Sequence, residues 1–151
     1  MRQDKPWHTH PSSMTKLILH MGGFRTGSTS TQSSLWSARR RLHSQGILYP
    51  KTGLACKAHH ALGLSILGQA IQGHYAAPPL EPLLKSLEQE IASSGCGTVL
   101  ISTEVLMLLV DQTFGTEGRE ERLGRFLSMF GEVQVLCVIR HQVPGRLRDS
   151  R

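Results

Sequence analysis

The chain has 151 residues, 39% hydrophobic and 19% charged, which suits one globular domain with its own core rather than a disordered polymer. Seventeen Lys and Arg against eleven Asp and Glu give a net charge of +6, a balance that favours an anionic cofactor, an acidic polymer or nucleic acid as partner. Aromatic residues make up only 5%, which argues against a base-stacking single-strand binder.

The N-terminal "MRQDKPWHTHPSS" lacks the apolar stretch of a secretory leader and is polar and proline-bearing, so residues 1–14 are expected to form a disordered tail. Met14 is a second candidate start, and the His8-x-His10 pair in such a tail is not by itself a metal site. Cys56, Cys96 and Cys137 are widely spaced and odd in number, without a C-x-x-C pair. That pattern speaks against structural zinc or a disulfide framework and fits reduced thiols in the cytoplasm. The longest apolar run, Val105 to Val110, is too short to span a bilayer.

Residues 15–142 read as an α/β domain. "KLILHM" (Lys16 to Met21) is a short apolar run ended by Gly22-Gly23, the pattern of a buried strand. "STSTQSSLWSARRRLHSQG" follows as a helix: hydroxyl residues at its start, Leu35, Trp36, Ala38 and Leu42 as an apolar face, arginines in its later half, and Gly46 as its stop. "GILYP" predicts a short extended piece, and "HHALGLSILGQAIQG" (His59 to Gly73) a helix interrupted by glycines. Leu80, Leu83, Leu84, Leu87 and Ile91 keep helical spacing up to Gly95. "GTVLIS" predicts a second buried strand, "TEVLMLLV" a short helix, "GTEGREERLGRFLSMFG" a further helix with a Glu121–Arg125 pair at i,i+4, and "EVQVLCVIR" a third strand. Residues 143–151 form an irregular basic tail. Apolar strands alternating with helices imply a parallel sheet covered on both faces, with ligands bound beyond the carboxyl ends of its strands. The residues to weigh there are Gly22 to Thr31, Ser102 to Glu104, and Arg140.

The stretch "LHMGGFRTGSTSTQ" is almost a P-loop: Gly22, Gly27 and Thr29 fit G-x-x-x-x-G-K-[ST], but Ser28 occupies the lysine position and the nearest cation is Arg25. Glycines allow close backbone approach, and the following helix start favours an anion. Ser28, Thr29 and Ser30 add hydroxyls, and Arg25 adds a permanent forked cation. The same residues would also serve as a plain turn and N-cap. Glu104, His60 and His59 are the groups placed to act as a base, and each also has a bland reading as a helix-start residue.

The segment "KLILHMGGFRTGSTSTQSSLWSARRRLHSQGILYP" resembles the opening of the sulfotransferase family, with its strand, [K/R]-T-G-[S/T]-[S/T]-x-x-Q loop, helix and G-[I/V]-x-Y-P piece. "HHAL", "VLISTEVL" and "VQVLCVIRHQ" extend the resemblance to about Gln142. It implies a P-loop-type three-layer fold and, as co-substrate, 3′-phosphoadenylyl sulfate, from which a sulfuryl group passes to an acceptor hydroxyl or amine without a metal. By position, Arg25 would stabilise charge on the bridging oxygen, and Thr26, Gly27, Ser28, Thr29 and Ser30 would cradle the 5′-phosphate. Arg140 would grip the 3′-phosphate, and Glu104 or His60 would take the acceptor's proton.

The end of the chain departs from the family. "RHQVPGRLRDSR" lacks the serine expected about two helical turns after the arginine, so a truncated form of the family is expected. The rival readings are a non-catalytic remnant that binds a nucleotide or nothing, a small P-loop kinase, and a nucleic-acid binder. The kinase lacks its lysine, and the sequence carries no nucleic-acid-binding module. The acceptor (carbohydrate, lipid or small molecule) stays open.

Overall fold

The computed structural model describes residues 14–22, 28–68, 77–110 and 117–138. The elements are β1 (Lys16–Gly22), α1 (Ser28–Ser44), β2 (Ile47–Leu48), α2 (His60–Leu67), α3 (Leu80–Ser94), β3 (Thr98–Ser102), a 3-10 helix (Val105–Val110), α4 (Arg119–Leu127) and β4 (Glu132–Val138). Among the described residues they build an α/β structure on a four-stranded sheet of order β2-β3-β1-β4, with every pairing parallel.

Register follows from the alternation along β1. Leu17 and Leu19 point into a core shared with Val99 and Ile101 of β3, Leu62 and Ile66 of α2, Leu84 and Leu87 of α3, and Phe126 of α4. Ile18 and His20 point the other way and align with Leu100 and Ser102. Right-handed crossovers require α1, which carries the chain from β1 leftward past β3 to β2, to lie on that second face. The main core accordingly contains no α1 residue. The expected helix over 59–73 is shorter than its pattern: α2 ends at Leu67, where Gly68 takes a left-handed φ of 74° and its N–H closes onto the Leu64 carbonyl. Residues 69–76 lie outside the described ones.

Two expectations are corrected. β4 is a strand, but it is exposed along its whole length, with Val135 57% and Leu136 52% accessible, so the sheet is not covered on both faces there. An apolar composition marks a strand that could be buried; what the rest of the chain lays against it decides whether it is, since β2, the other edge strand, has Leu48 in the core. The Glu121–Arg125 pair is also not the one observed. Arg125 reaches across to Glu81 of α3 at 2.7 Å, because α4 packs beside α3 and brings that carboxylate closer.

Arg122 is the principal polar link between α4 and α2. Its Nε donates to the Ile66 carbonyl and its Nη2 to the Leu67 carbonyl, both at 2.8 Å. These are carbonyls of the last turn of α2, which have no partner within their own helix, and a cation there also suits the helix dipole. Gly68 makes room for it: a Cβ would stand 2.4 Å from the guanidinium. Arg122→Ala should therefore lower stability by about 1–3 kcal/mol, read as a lower urea midpoint with an unchanged m-value. An unchanged midpoint would mean that water caps α2 equally well.

Candidate functional site

β1 and β3 are adjacent, and the connections that leave them run in opposite directions, to β2 and to β4. In a parallel sheet this is where a crevice opens beyond the strand ends. The segment 23–27 joins the end of β1 to the start of α1, and Thr103 and Glu104 follow β3 directly.

The strand ends are polar yet buried, and each group there is matched. His20, at 3% exposure, places its Nδ1 2.8 Å from the Ser102 hydroxyl. The Thr103 N–H donates to the His20 carbonyl at 3.0 Å, which extends the β1–β3 ladder by one bond. His59 is fully buried. The Ser102 N–H donates to its Nδ1 at 3.1 Å, and its Nε2 lies 2.9 Å from the Pro50 carbonyl. A nitrogen that accepts and a nitrogen that donates define one neutral tautomer. Burial pushes the His59 pKa down to about 4, against smaller opposing effects from the Pro50 carbonyl, the Ser102 carbonyl 3.3 Å from Nδ1 and the Glu90 charge. His59 is thus a structural bolt between β3 and the segment after β2. Both ring nitrogens are engaged, which removes it as a base.

His60, the next residue, faces a different setting. Its Nε2 lies 3.9 Å from Glu104 Oε1, and its Nδ1 lies 3.4 Å from the Thr103 hydroxyl. Both side chains keep some exposure, 12% for His60 and 18% for Glu104. Burial lowers the His60 pKa, and the Glu104 carboxylate works against that shift. A mainly neutral imidazole beside a carboxylate, just beyond the end of β3, can accept a proton at neutral pH. Gly63, one turn along α2, allows the approach: a Cβ there would stand 3.0 Å from the Thr103 hydroxyl and 3.1 Å from Val105.

The segment that carries the histidines is itself anchored. Glu90 of α3 accepts from the Lys51 N–H at 2.7 Å and from the Thr52 N–H and hydroxyl at 3.0 and 2.7 Å. Tyr49 donates its hydroxyl to the Lys57 carbonyl at 2.8 Å, and its ring packs edge-on against His59 at 4.7 Å. Burial raises the Tyr49 pKa to about 12, with an opposing contribution from its hydrogen bond to Ser102. Ala55 and Ala58 bond each other across Cys56 and Lys57, both with positive φ, in a tight turn that reverses the chain just before His59.

The remaining sequence candidates divide. Ser28 begins α1, and Thr29 and Ser30 are exposed in its first turn, where backbone N–H groups are free of intrahelical partners. Arg25, Thr26, Gly27 and Arg140 lie outside the described residues. His20 and Glu90 were not singled out in the sequence: His20 sits in an apolar strand pattern, and Glu90 on the polar side of an amphipathic helix. Arg39, Arg40, His43 and Lys51 line a cleft of about 380 Å³ between α1, β2 and α3. Among the described residues there is no group of three His, Cys, Asp or Glu side chains that could hold a metal, and no helix long and apolar enough to cross a membrane.

The His59 geometry fixes the sign of a pH effect. Its folded pKa, about 4, lies below the unfolded value of 6.5, so the unfolded chain takes a proton that the folded chain refuses. Its contribution is complete above pH 6.5 and is lost as the pH falls towards 4. At pH 5 the loss is about 2 kcal/mol, or a fall in thermal midpoint on the order of 5 °C. His20 and His60, both lowered by burial, act in the same direction. Thermal unfolding at pH 7 and 5 tests this: His59→Gln should be less stable at pH 7 and show a smaller drop to pH 5, and an equal drop would reassign the effect to other groups. No family model matches the chain, and neither a curated protein nor a solved structure gives a significant match to it.

Proposed function

We propose that this chain is a sulfotransferase-like domain of P-loop-type, three-layer architecture, which takes a sulfuryl group from 3′-phosphoadenylyl sulfate to an acceptor hydroxyl or amine. One observation carries the proposal. A glycine- and hydroxyl-rich segment enters a helix from the central strand of a parallel sheet, and a histidine–carboxylate contact stands at the end of the neighbouring strand. The first half suits an anionic donor, and the second suits proton removal from an acceptor.

In this reading the α1 N-terminus, with Ser28, Thr29 and Ser30, holds the 5′-phosphate together with Thr26 and Gly27. Arg25 neutralises the oxygen that bridges phosphorus and sulfur. The acceptor oxygen attacks sulfur and gives its proton to the His60–Glu104 pair. The bond from sulfur to the bridging oxygen breaks, and adenosine 3′,5′-bisphosphate leaves with the electron pair. Arg140 anchors the 3′-phosphate throughout. Positioning and charge stabilisation supply the rate, as in phosphoryl transfer, and arginine does the neutralising that a metal does elsewhere.

Calorimetry tests the donor assignment. Adenosine 3′,5′-bisphosphate should bind more tightly than ATP; equal affinities, or tighter ATP, would overturn it. Arg25→Ala should weaken both the bisphosphate and 5′-AMP, and Arg140→Ala only the bisphosphate, each by about 1.5–3 kcal/mol. Circular dichroism should first show each variant folded. Glu104→Gln should slow sulfuryl transfer and leave bisphosphate affinity unchanged, which separates proton removal from donor binding.

A further inference from the structure

The inward stripe of α1 runs through Gln32, Leu35, Trp36, Arg39 and Leu42, spaced at three and four residues. The apolar members of this stripe are only partly buried. Gln32, at 4% exposure, is the only buried side chain among those described in α1. It is also polar, and its Nε2 has no hydrogen-bond partner among the described residues. The helix has therefore placed an amide where a leucine or methionine would serve stability better, since a buried donor without an acceptor forfeits its hydration.

The direction of that amide is set by helix geometry. Side chains in a helix lean towards its N-terminus and cover the preceding turn. Gln32 thus reaches back over Ser28 and Thr29, the end of α1 that follows the glycine-rich segment. That lean carries the donor towards the end of α1 where the helix dipole and the unpaired amides of the first turn attract an anion. The helix start and the orphaned amide are independent features, and the lean of the side chain brings them to the same end of α1.

We propose that Gln32 is a ligand-binding residue whose Nε2 donates to a non-bridging oxygen of the phosphate or phosphosulfate group held at the α1 N-terminus. This rests on the sulfotransferase-like reading for the identity of the nucleotide, though not for the anion chemistry. The neutral amide adds direction without adding charge, since it binds an oxygen at a fixed angle. The anion supplies the acceptor that Nε2 lacks among the described residues.

The test uses Gln32→Met, which keeps the unbranched shape, with Gln32→Leu as a second variant. Thermal unfolding without ligand comes first. Both variants should match or exceed the wild-type midpoint; a fall of several degrees in both would show that Gln32 is already satisfied and would overturn the proposal. Calorimetry with adenosine 3′,5′-bisphosphate and with inorganic pyrophosphate follows. Both ligands should bind the variants about 10- to 100-fold more weakly than the wild type, the range for losing a hydrogen bond to a charged group. Unchanged affinities would overturn the Gln32 assignment and leave the donor reading standing. Wild-type binding of pyrophosphate but not of the bisphosphate, with the same loss in the variants, would keep Gln32 as an anion ligand and overturn the nucleotide reading. Absence of wild-type binding to either would overturn both.

Discussion

The parallel pairing of β1 with β3 places the polar ends of two strands side by side inside the protein, and much of the described structure answers that constraint. His20 and Ser102 are in register and bond each other at 2.8 Å. The ladder continues by one bond, from the Thr103 N–H to the His20 carbonyl. His59 then closes the end of β3: its own N–H donates to the Ser102 carbonyl at 2.8 Å, and its ring accepts from the Ser102 N–H. Without these partners, two strand ends would carry buried, unpaired backbone groups, each a cost comparable to a lost hydrogen bond.

The same arrangement separates two adjacent histidines into different chemical roles. His59 is held neutral with both ring nitrogens occupied, and so contributes order rather than reactivity. His60, turned towards Thr103 and Glu104, keeps partial exposure and a carboxylate neighbour. Order is passed to this point from a distance. Glu90 of α3 fixes Lys51 and Thr52, Tyr49 fixes Lys57, and the turn across Cys56 and Lys57 delivers the chain to His59. A carboxylate with three hydrogen bonds to one short segment is an economical way to hold a loop that has almost no strand of its own, since β2 has only two residues.

Packing is unequal on the two faces of the sheet. Three helices, α2, α3 and α4, share one apolar core with β1 and β3, and Arg122 joins two of them by capping a helix end. α1 covers the other face through a stripe whose most buried member is Gln32. β4, held to β1 along its full length and by the Lys16–Glu132 contact at 2.9 Å, has exposed side chains throughout. The strand therefore depends on its backbone ladder more than on burial, and an exposed ion pair adds little to that.

The amino-acid sequence by itself determined the elements and the parallel α/β class. The short apolar run at Lys16, the helical spacing of Leu80, Leu84 and Leu87, and the stops at Gly46 and Gly95 are local signals, and local physics reads them correctly. It also brought the glycine-rich segment and Glu104 to the right ends of their strands, because connectivity alone puts them there. Tertiary structure decided what depends on distant neighbours. Nothing local tells His59 from His60, as the difference lies in Pro50 and Ser102 on one side and Glu104 on the other. Arg125 prefers Glu81 to the residue one turn before it, because α3 lies alongside. β4 is exposed although it is apolar, whereas β2 at the opposite edge has Leu48 in the core. Gln32 is buried although it is polar. Burial is a property of what the rest of the chain brings to a residue, and periodicity records only which way that residue points.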